Sequence, residues 1–445
     1  MADTPTPATP TAPTAPKSKP RLRRLERHQA LMICESLDQR VDADHAVRTV
    51  WAFVEQLDLT PLLDRIKAVR GVVGRNANDP RILLALWLFA SIEGVGSARA
   101  LDRLCRDHRV FAWLCGGVSV NYHTLADFRV DHADFLETLF AQSIAGLVCE
   151  GLVDVNLVAQ DGMRIRASAG SDSFRRGATL QEHLTQAEEH LTKLKAELEV
   201  NPNRLDARRK AAQLRAATEK KERLAKAMVH AAEIATSREK RKAGDGESAR
   251  ASSTDPEARR MKMPDGGTRP AYNAQFGTDA GSGVIVGVQT STAGNDSHEL
   301  EPMLDAIEET TGRVPAATLV DGGYGTRENV DLAAKRGTVI YSTLKAEQKQ
   351  LDAGKDPYAP KKGDSVAMKA FRARMGELES KALYRRRGES AEWVNAIARR
   401  HGLYLLRVRG ARKVQAVLVL FALAHNLQRV AKLRAVRALA TPQVG

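Results

Sequence analysis

The hydrophobic pattern changes its period once, close to residue 151, and this change limits the possible folds more than any other feature. From about residue 26 to residue 151 apolar side chains recur at helical steps, which is typical of helices with one buried face. The segment from Arg81 to Glu93 is apolar on nearly every side, so we expect it at the centre of a bundle. The first part of the chain is therefore predicted to be an all-α domain.

Beyond residue 151 strand patterns alternate with helical ones. An apolar run from Val155 to Gln160 is followed by Asp161-Gly162, and Met163 to Ala167 then alternates, which predicts two strands joined by a turn. Five more strands are predicted, at 271–276, 284–288, 316–320, 338–341 and 403–406. Helices are predicted between several of them. Strands alternating with helices indicate an α/β domain.

A helical segment interrupts this pattern after Ser173. Leucines at positions 184, 191, 198 and 205 are spaced by seven, and Asn201-Pro202-Asn203 breaks the run. We therefore predict two long helices that fold back on each other. Residues 204–263 contain 17 Lys or Arg against 9 Asp or Glu, so this segment either contacts a polyanion or forms a solvated face.

Charge narrows the choice of partner. The chain has 68 Lys and Arg against 54 Asp and Glu, a net charge of +14, which favours nucleic acid or an anionic membrane. The longest mainly apolar run, Ile82 to Ile92, is shorter than the ~20 residues that span a bilayer, and no signal peptide is predicted. Four cysteines in 445 residues fit a reduced, cytoplasmic compartment. Nucleic acid is the better partner.

Two aspartates occupy similar positions in the predicted α/β domain. Asp161 and Asp321 each follow an apolar strand and precede glycine. Such a pair is often only a turn, but carboxylates at neighbouring strand ends can also share Mg²⁺. Glu392 is the candidate third carboxylate, because Arg399 follows seven residues later on the same helix face. Its rival Glu389 has no such cationic partner.

Several other residues could serve either a functional role or only the fold. Thr124 is predicted to cap a helix that presents Arg129 either to a DNA groove or to solvent. Cys105, His108, Cys115 and His123 lack the spacing of a zinc site, so buried structural cysteines are favoured. His425 and Asn426 are expected to pack against the core. The sequence has no phosphate-binding loop, so we expect no nucleotide cofactor.

The chain resembles the bacterial insertion-sequence transposases of the DDE type. The matching stretches, in order, are His123–Arg129, Asp161–Ala167, Asp255–Arg259, Pro270–Gln275, Asn295–Leu300, Asp321–Tyr324, Tyr384–Arg399, Arg409–Val414 and Ala424–Leu427. The resemblance implies an RNase H-like catalytic core. It places the acidic triad on Asp161, Asp321 and Glu392, which would ligate two Mg²⁺ ions, with Mn²⁺ as a substitute.

The resemblance also implies DNA-binding residues. The family signature Tyr-x2-Arg-x3-Glu-x6-Lys is met in part, because Tyr384 and Arg387 fit but Glu392 comes one residue late. Arg399 stands where lysine is usual. Tyr384, Arg387 and Arg399 are accordingly expected to bind the DNA end, and Arg129 to contact DNA from the helical domain.

These inferences predict a domain order and an activity. A disordered tail (1–25) precedes a helical DNA-binding domain (26–150) and an RNase H-like mixed sheet with flanking helices (151–435). The latter carries a basic helical insertion (172–265) and a mobile charged insertion (343–380). The expected activity is metal-dependent cleavage at terminal inverted repeats and strand transfer into target DNA by a homodimer or larger assembly. The alternatives are an inactive DNA-binding regulator and a stand-alone nuclease.

Overall fold

The computed structural model describes residues 27–28, 34–69, 71, 76–200 and 204–440. The tail predicted for residues 1–25 lies outside this range. Three parts are described below: a helical N-terminal part, a mixed sheet with helices on its faces, and a helical hairpin inserted between two strands of that sheet.

The N-terminal part is built from seven helices. Helices α1 to α7 span Ala46–Glu55, Thr60–Leu63, Pro80–Ile92, Ala98–Asp107, Arg109–Cys115, Tyr122–Asp131 and Ala133–Cys149. Helix α3 begins where the Asp79 side chain accepts a hydrogen bond from the Arg81 amide, and ten of its thirteen residues are buried. This confirms the predicted central helix. Asn121, rather than the predicted Thr124, caps α6, because its side chain accepts from the Thr124 amide.

The sheet combines parallel and antiparallel pairing. Strands β1 to β8 span Leu157–Arg166, Phe174–Arg176, Arg250–Ser252, Arg259–Lys262, Thr268–Asp279, Ile285–Ser291, Ala317–Leu319 and Val339–Tyr341. The main sheet has the order β4-β5-β1-β7-β8, with β6 also paired to β5, while β2 and β3 form a separate pair. Strand β1 runs antiparallel to β5 and parallel to β7. The predicted mixed sheet of an α/β fold is confirmed.

Two predicted strand boundaries are wrong. Asp161-Gly162 is not a turn, because β1 continues through it and pairs with β5 from Val158 to Arg166. The twelve-residue β5 offers hydrogen-bonding partners along this whole length, which outweighs the local turn preference of Asp-Gly. Residues 403–406 form no strand; a single bridge joins Leu405 to Arg166.

Helices α10 to α16 follow the later strands. They span Leu300–Thr311, Arg327–Lys335, Glu347–Asp352, Val366–Gly376, Leu378–Arg387, Trp393–Arg400 and Ala411–Ala440. The charged segment 343–380 was expected to be a mobile insertion. It instead contains α12 and α13, and Met368, Phe371 and Met375 of α13 are buried in a cluster with Val330 and Ile340.

The insertion after β1 contains the predicted hairpin. Helices α8 and α9 span Gly177–Val200 and Arg204–Arg241. Leu180, Ala187 and Leu191 of α8 are buried in one cluster with Leu224 and Ala227 of α9. Apolar positions of the heptad pattern are therefore used to hold the two helices together.

The last helix, α16, is long and apolar enough to cross a membrane by length and composition. However, 67% of its apolar segment is buried inside the protein, where it packs against β6, α3 and α7. His425 lies 3.0 Å from the Gly283 carbonyl oxygen, and the Asn426 side chain pairs with both the amide and the carbonyl of Ile285. The expected packing role of these two residues is confirmed, and α16 is a core helix.

Candidate active site

The two aspartates are brought side by side by the register of neighbouring strands. Ala159 of β1 pairs with Leu319 of β7 in parallel orientation, and Asp161 and Asp321 each lie two residues further along. Residues that are level in adjacent parallel strands point to the same face of the sheet. Asp161 and Asp321 are close enough that the charge of Asp321 raises the pKa of Asp161.

One helical segment covers this face of the sheet. Ala391 packs on Ala159 and Leu319, which places the residues around it directly over the two strands. Nη2 of Arg387 is 3.0 Å from Oδ1 of Asp161, and its Nη1 is 2.6 Å from Oε1 of Glu392. Three separate segments therefore meet: β1, the end of β7, and the segment 384–395.

A π-turn at Gly388–Glu392 explains the late position of Glu392. In an α-helix a side chain lies beside the one four residues later, whereas a π-turn adds one residue per turn. Arg387 and Glu392 are five residues apart and in contact. The π-turn thus absorbs the extra residue and keeps Glu392 beside Arg387. Both Glu392 and Glu389 are exposed to solvent.

The electrostatics of the site are dominated by burial of Asp161. Burial raises the pKa of this carboxyl, the nearby Arg387 guanidinium lowers it, and Asp321 raises it again, so that the pKa lies above its ordinary value. Arg387 is itself only 12% exposed, and its acidic neighbours raise its own pKa. The guanidinium supplies the positive charge that two neighbouring carboxylates require.

Tyr384 precedes Arg387 and Glu392 in the chain, and Arg399 follows them. Burial raises the pKa of Tyr384, and Arg387, Thr343 and Asp321 all influence it, so its phenol lies within the site. Arg399 is exposed on α15, two turns beyond Glu392. Among the residues expected to bind the DNA end, the structure brings Tyr384 and Arg387 directly to the acidic residues.

Two known protein families match parts of the chain. Residues 237–427 match the family described as "Transposase DDE domain", and residues 35–131 match "Transposase domain (DUF772)". The chain is a DDE transposase. No curated protein and no solved structure matches it. Asp321 and Glu392 of this transposase lie inside the first match, whereas Asp161 precedes it.

The position of Arg129 differs from the expected one. Its side chain points inward, where the guanidinium carbon lies 4.0 Å from the centre of the Trp87 ring and Nη1 donates to the Gly96 carbonyl at 3.0 Å. Only 5% of the residue is exposed, and burial lowers its pKa to about 10. In this structure Arg129 joins α6 to α3, and its guanidinium is engaged by Trp87 and Gly96.

We expect Arg129→Met to destabilise the transposase without weakening DNA binding. Methionine retains apolar contact with Trp87 but loses the hydrogen bond and the cation–π contact, at a cost of about 2 kcal/mol. Urea unfolding and DNA-binding titrations of the folded variant measure the two effects. Weaker DNA binding at unchanged stability would instead support the original DNA-contact role.

A buried polar network on the opposite face of β1 was not foreseen. Gln275 donates to Asp296 at 2.7 Å, Asn273 donates to Asp296 at 2.6 Å, and Gln160 donates to Gln275 at 3.1 Å. Tyr324, three residues after Asp321, donates to Gln275 at 2.5 Å. The network therefore ties the loop after Asp321 to the strand that carries Asp161. The spacing of Asn273 and Gln275, two apart in a strand, is the sequence signal that could have revealed it.

Gly162 faces this network, and we expect Gly162→Ala to disrupt it. A Cβ at this position would overlap side-chain atoms of Asp296, Gln275 and Asn273. Overpacking of this kind costs about 2 kcal/mol or more, and the shift should also reduce cleavage by displacing Asp161. Gly146→Ala is the matched control, since nothing lies within 4 Å of a Cβ in that helix. Thermal unfolding compares the stabilities of the Gly162→Ala and Gly146→Ala variants. Equal stability would show that the polar network shifts to accommodate the added methyl group without cost.

The donor chemistry of the site fits a divalent metal ion. Carboxylate oxygens are the ligands that Mg²⁺ prefers, and the repulsion between Asp161 and Asp321 is relieved by a cation. Within the described residues, no three Asp, Glu, His or Cys side chains converge on a common metal position as they stand. Arg387 explains this, because its guanidinium lies between Asp161 and Glu392.

Proposed function

We propose that this transposase cuts DNA at the terminal inverted repeats of a mobile element and joins the freed ends to target DNA in a reaction that requires a divalent metal. The observation that carries the proposal is the contact of Arg387 with both Asp161 and Glu392, on the face of the sheet that Asp321 shares. Three distant segments contribute to one acidic cluster, which a solvated face or a set of isolated turns would not produce.

Asp161, Asp321 and Glu392 would be the metal ligands in this proposal, for two Mg²⁺ ions or for Mn²⁺ in their place. A metal held there would supply the charge that activates the nucleophile, water and then a DNA 3′-hydroxyl, and that stabilises the leaving oxygen. The three carboxylates bind and do not act as covalent nucleophiles. Glu392 is 58% exposed, so its side chain is free to turn towards the two aspartates.

Arg387 has two partners in succession in this proposal. In the structure its guanidinium neutralises Asp161 and Glu392. With Asp161 and Glu392 as ligands of a metal, the guanidinium would be free to bind a phosphate group beside Tyr384, because its planar fork suits phosphate. Tyr384, Arg387 and the exposed Arg399 would then position the DNA end.

The proposed location is the bacterial cytoplasm at the nucleoid, with double-stranded DNA as partner and a homodimer or larger assembly as the active form.

The domains are assigned roles on the same basis. We assign residues 26–150 to DNA binding and residues 151–435 to catalysis, with the insertion 172–265 as an additional DNA contact. The charge of 17 basic against 9 acidic residues in 204–263 supports the last assignment. Removal of that segment should flatten the salt dependence of DNA binding.

The test is an assay with a supercoiled plasmid that carries the element with both of its ends. The wild-type protein with Mg²⁺ is expected to release the ends and to produce joined products in a second plasmid, and Asp321→Asn is expected to do neither. Cleavage without joined products would identify a stand-alone nuclease. Binding of the ends without any cleavage would identify a DNA-binding regulator and overturn the proposal.

A further inference from the structure

A basic groove of about 850 Å³ lies away from the acidic cluster. Its walls come from the start of α4 and from α6 in the N-terminal part, from α9 in the insertion, and from the segment 407–413 that leads into α16. Of the eight cations that line it, Arg129 is buried against Trp87 and Arg412 pairs with Asp134. The other six are Arg99, Arg223, Lys226, Arg407, Arg409 and Lys413. We define these six residues as the basic groove.

The basic residues of this groove are not neutralised by ion pairs. Across the described parts of the chain, no salt bridge involves any of the six, and five of them are exposed while Arg223 is half-buried. Arg99 stacks 5.1 Å from the ring of Tyr122, which also lines the groove. Glu219 and Glu222 of α9 are the exposed acids in the wall.

The other two acids of the groove are engaged in holding the fold. Asp255 accepts a hydrogen bond from the Gly410 amide at 3.1 Å and one from the Tyr272 hydroxyl at 2.7 Å. Glu257 accepts from the Ala411 amide. They therefore cap the first turn of α16, where the helix dipole favours negative charge. The Asp255-Pro-Glu257 stretch therefore has a structural role at the start of α16. Because its two acids are engaged with backbone amides there, the cations of the groove remain available to a polyanion.

The position of the groove relative to the acidic cluster indicates how a duplex would lie. Ser168 lines the groove and follows Asp161 by seven residues, most of them in the extended strand β1. The five strand steps from Asp161 to Arg166 cover about 17 Å at about 3.3 Å per residue, and the two further steps outside the strand bring the separation to about 20 Å. One DNA strand advances about 3.4 Å per phosphate, so this distance corresponds to about six base pairs.

We propose that the basic groove binds the sugar-phosphate backbone of double-stranded DNA about six base pairs from the phosphodiester that is cut at the acidic cluster. The inference rests on the proposed function for the identity of the duplex. Contacts from the N-terminal part, the insertion and the α16 segment would then hold one DNA molecule. The groove would contact the charged sugar-phosphate backbone, and such contacts position a duplex without recognising its bases.

The experiment compares two triple variants of the full-length transposase with equal loss of charge. The groove variant changes three cations of the groove to Gln: Lys226, Arg407 and Lys413. The control variant changes three exposed lysines outside the groove to Gln: Lys335, Lys349 and Lys369. Binding of a fluorescein-labelled duplex of arbitrary sequence is measured by anisotropy over a KCl series. Each lost phosphate contact lowers the slope of log K against log salt by about 0.9, so we expect a fall of about 2 to 3 for the groove variant and none for the control.

A footprint on the element's own end tests the position. Hydroxyl-radical protection about six base pairs from the cut is expected for wild type and for Asp161→Asn, and is expected to be lost in the groove variant. An unchanged salt slope with unchanged protection would overturn the inference even if the wild type cleaves. A wild type that never cleaves would overturn the proposed function, while the slope and footprint would still report on the groove.

Discussion

Replacing Asp161 with Asn is expected to reduce DNA cleavage by at least about 10³-fold, because several kcal/mol of transition-state stabilisation depend on a metal-binding carboxylate. Asparagine keeps the size of the side chain and its neighbour Asn395, which donates to Asp161 Oδ2 at 2.9 Å. Cleavage of the plasmid substrate measures the effect. Asp154→Asn is the matched control, since Asp154 is an exposed aspartate just before the same strand, and it should cleave normally.

The same substitution is expected to stabilise the folded protein at neutral pH. The pKa of Asp161 is raised in the folded state, mainly by burial. The contribution of this carboxyl to stability is therefore fully present when the pH is below its pKa in the unfolded chain. That contribution is lost as the pH rises through its higher pKa in the folded state. The neutral amide of the Asp161→Asn variant has no such loss, so the advantage of the variant should grow as the pH rises above about 4. Thermal unfolding at a series of pH values checks this; an advantage that shrinks with rising pH would contradict it.

Arg387→Gln should give the second large effect, this time on the metal-free protein. Removing the guanidinium leaves Asp161 and Glu392 without their counter-charge, and loss of one partner of a largely buried ion pair costs about 3 kcal/mol. Asp161→Asn avoids this cost, because Arg387 keeps its contact with Glu392. Added Mn²⁺ should restore more stability to this variant than to the wild type, because the carboxylates no longer have to release an arginine. Cleavage should fall about 10²-fold if the released guanidinium binds phosphate.

Urea unfolding with and without Mn²⁺ measures this effect independently of catalysis. Arg385→Gln provides the control, since Arg385 is an exposed arginine two residues earlier on the same helix. Equal metal-free stability of the Arg387 variant and the wild type would show that the guanidinium is not required by the two acids. Equal stabilisation by Mn²⁺ would show that it does not compete with the metal.

The elements with a strong hydrophobic period were predictable from sequence, and they include the central helix α3, the helical hairpin and the short strands around Asp321. These segments form where the sequence pattern and the tertiary contacts agree. Asp161-Gly162 was misjudged because the turn preference of this dipeptide is local, whereas its strand conformation is imposed by β5, more than a hundred residues away. The glycine is needed by the polar side chains it faces, not by a turn.

The site was predictable in its residue types but not in its contacts. The spacing of Glu392 and Arg399 marked the segment that packs over Asp161, whereas the one-residue offset from the family signature is explained only by the π-turn. Arg129 was misplaced because helical periodicity alone does not distinguish an arginine stacked on a buried tryptophan from one that faces solvent. Both outcomes depend on side chains from distant segments.

The central claim is that Glu392 completes the acidic site with Asp161 and Asp321, and a pair of variants on the same π-turn tests it most directly. Glu392→Gln and Glu389→Gln make the same chemical change three residues apart, but only Glu392 contacts Arg387. In the plasmid cleavage assay with Mg²⁺, we expect Glu392→Gln to abolish cleavage and Glu389→Gln to cleave as the wild type does. Cleavage by Glu392→Gln at the wild-type rate would contradict the assignment.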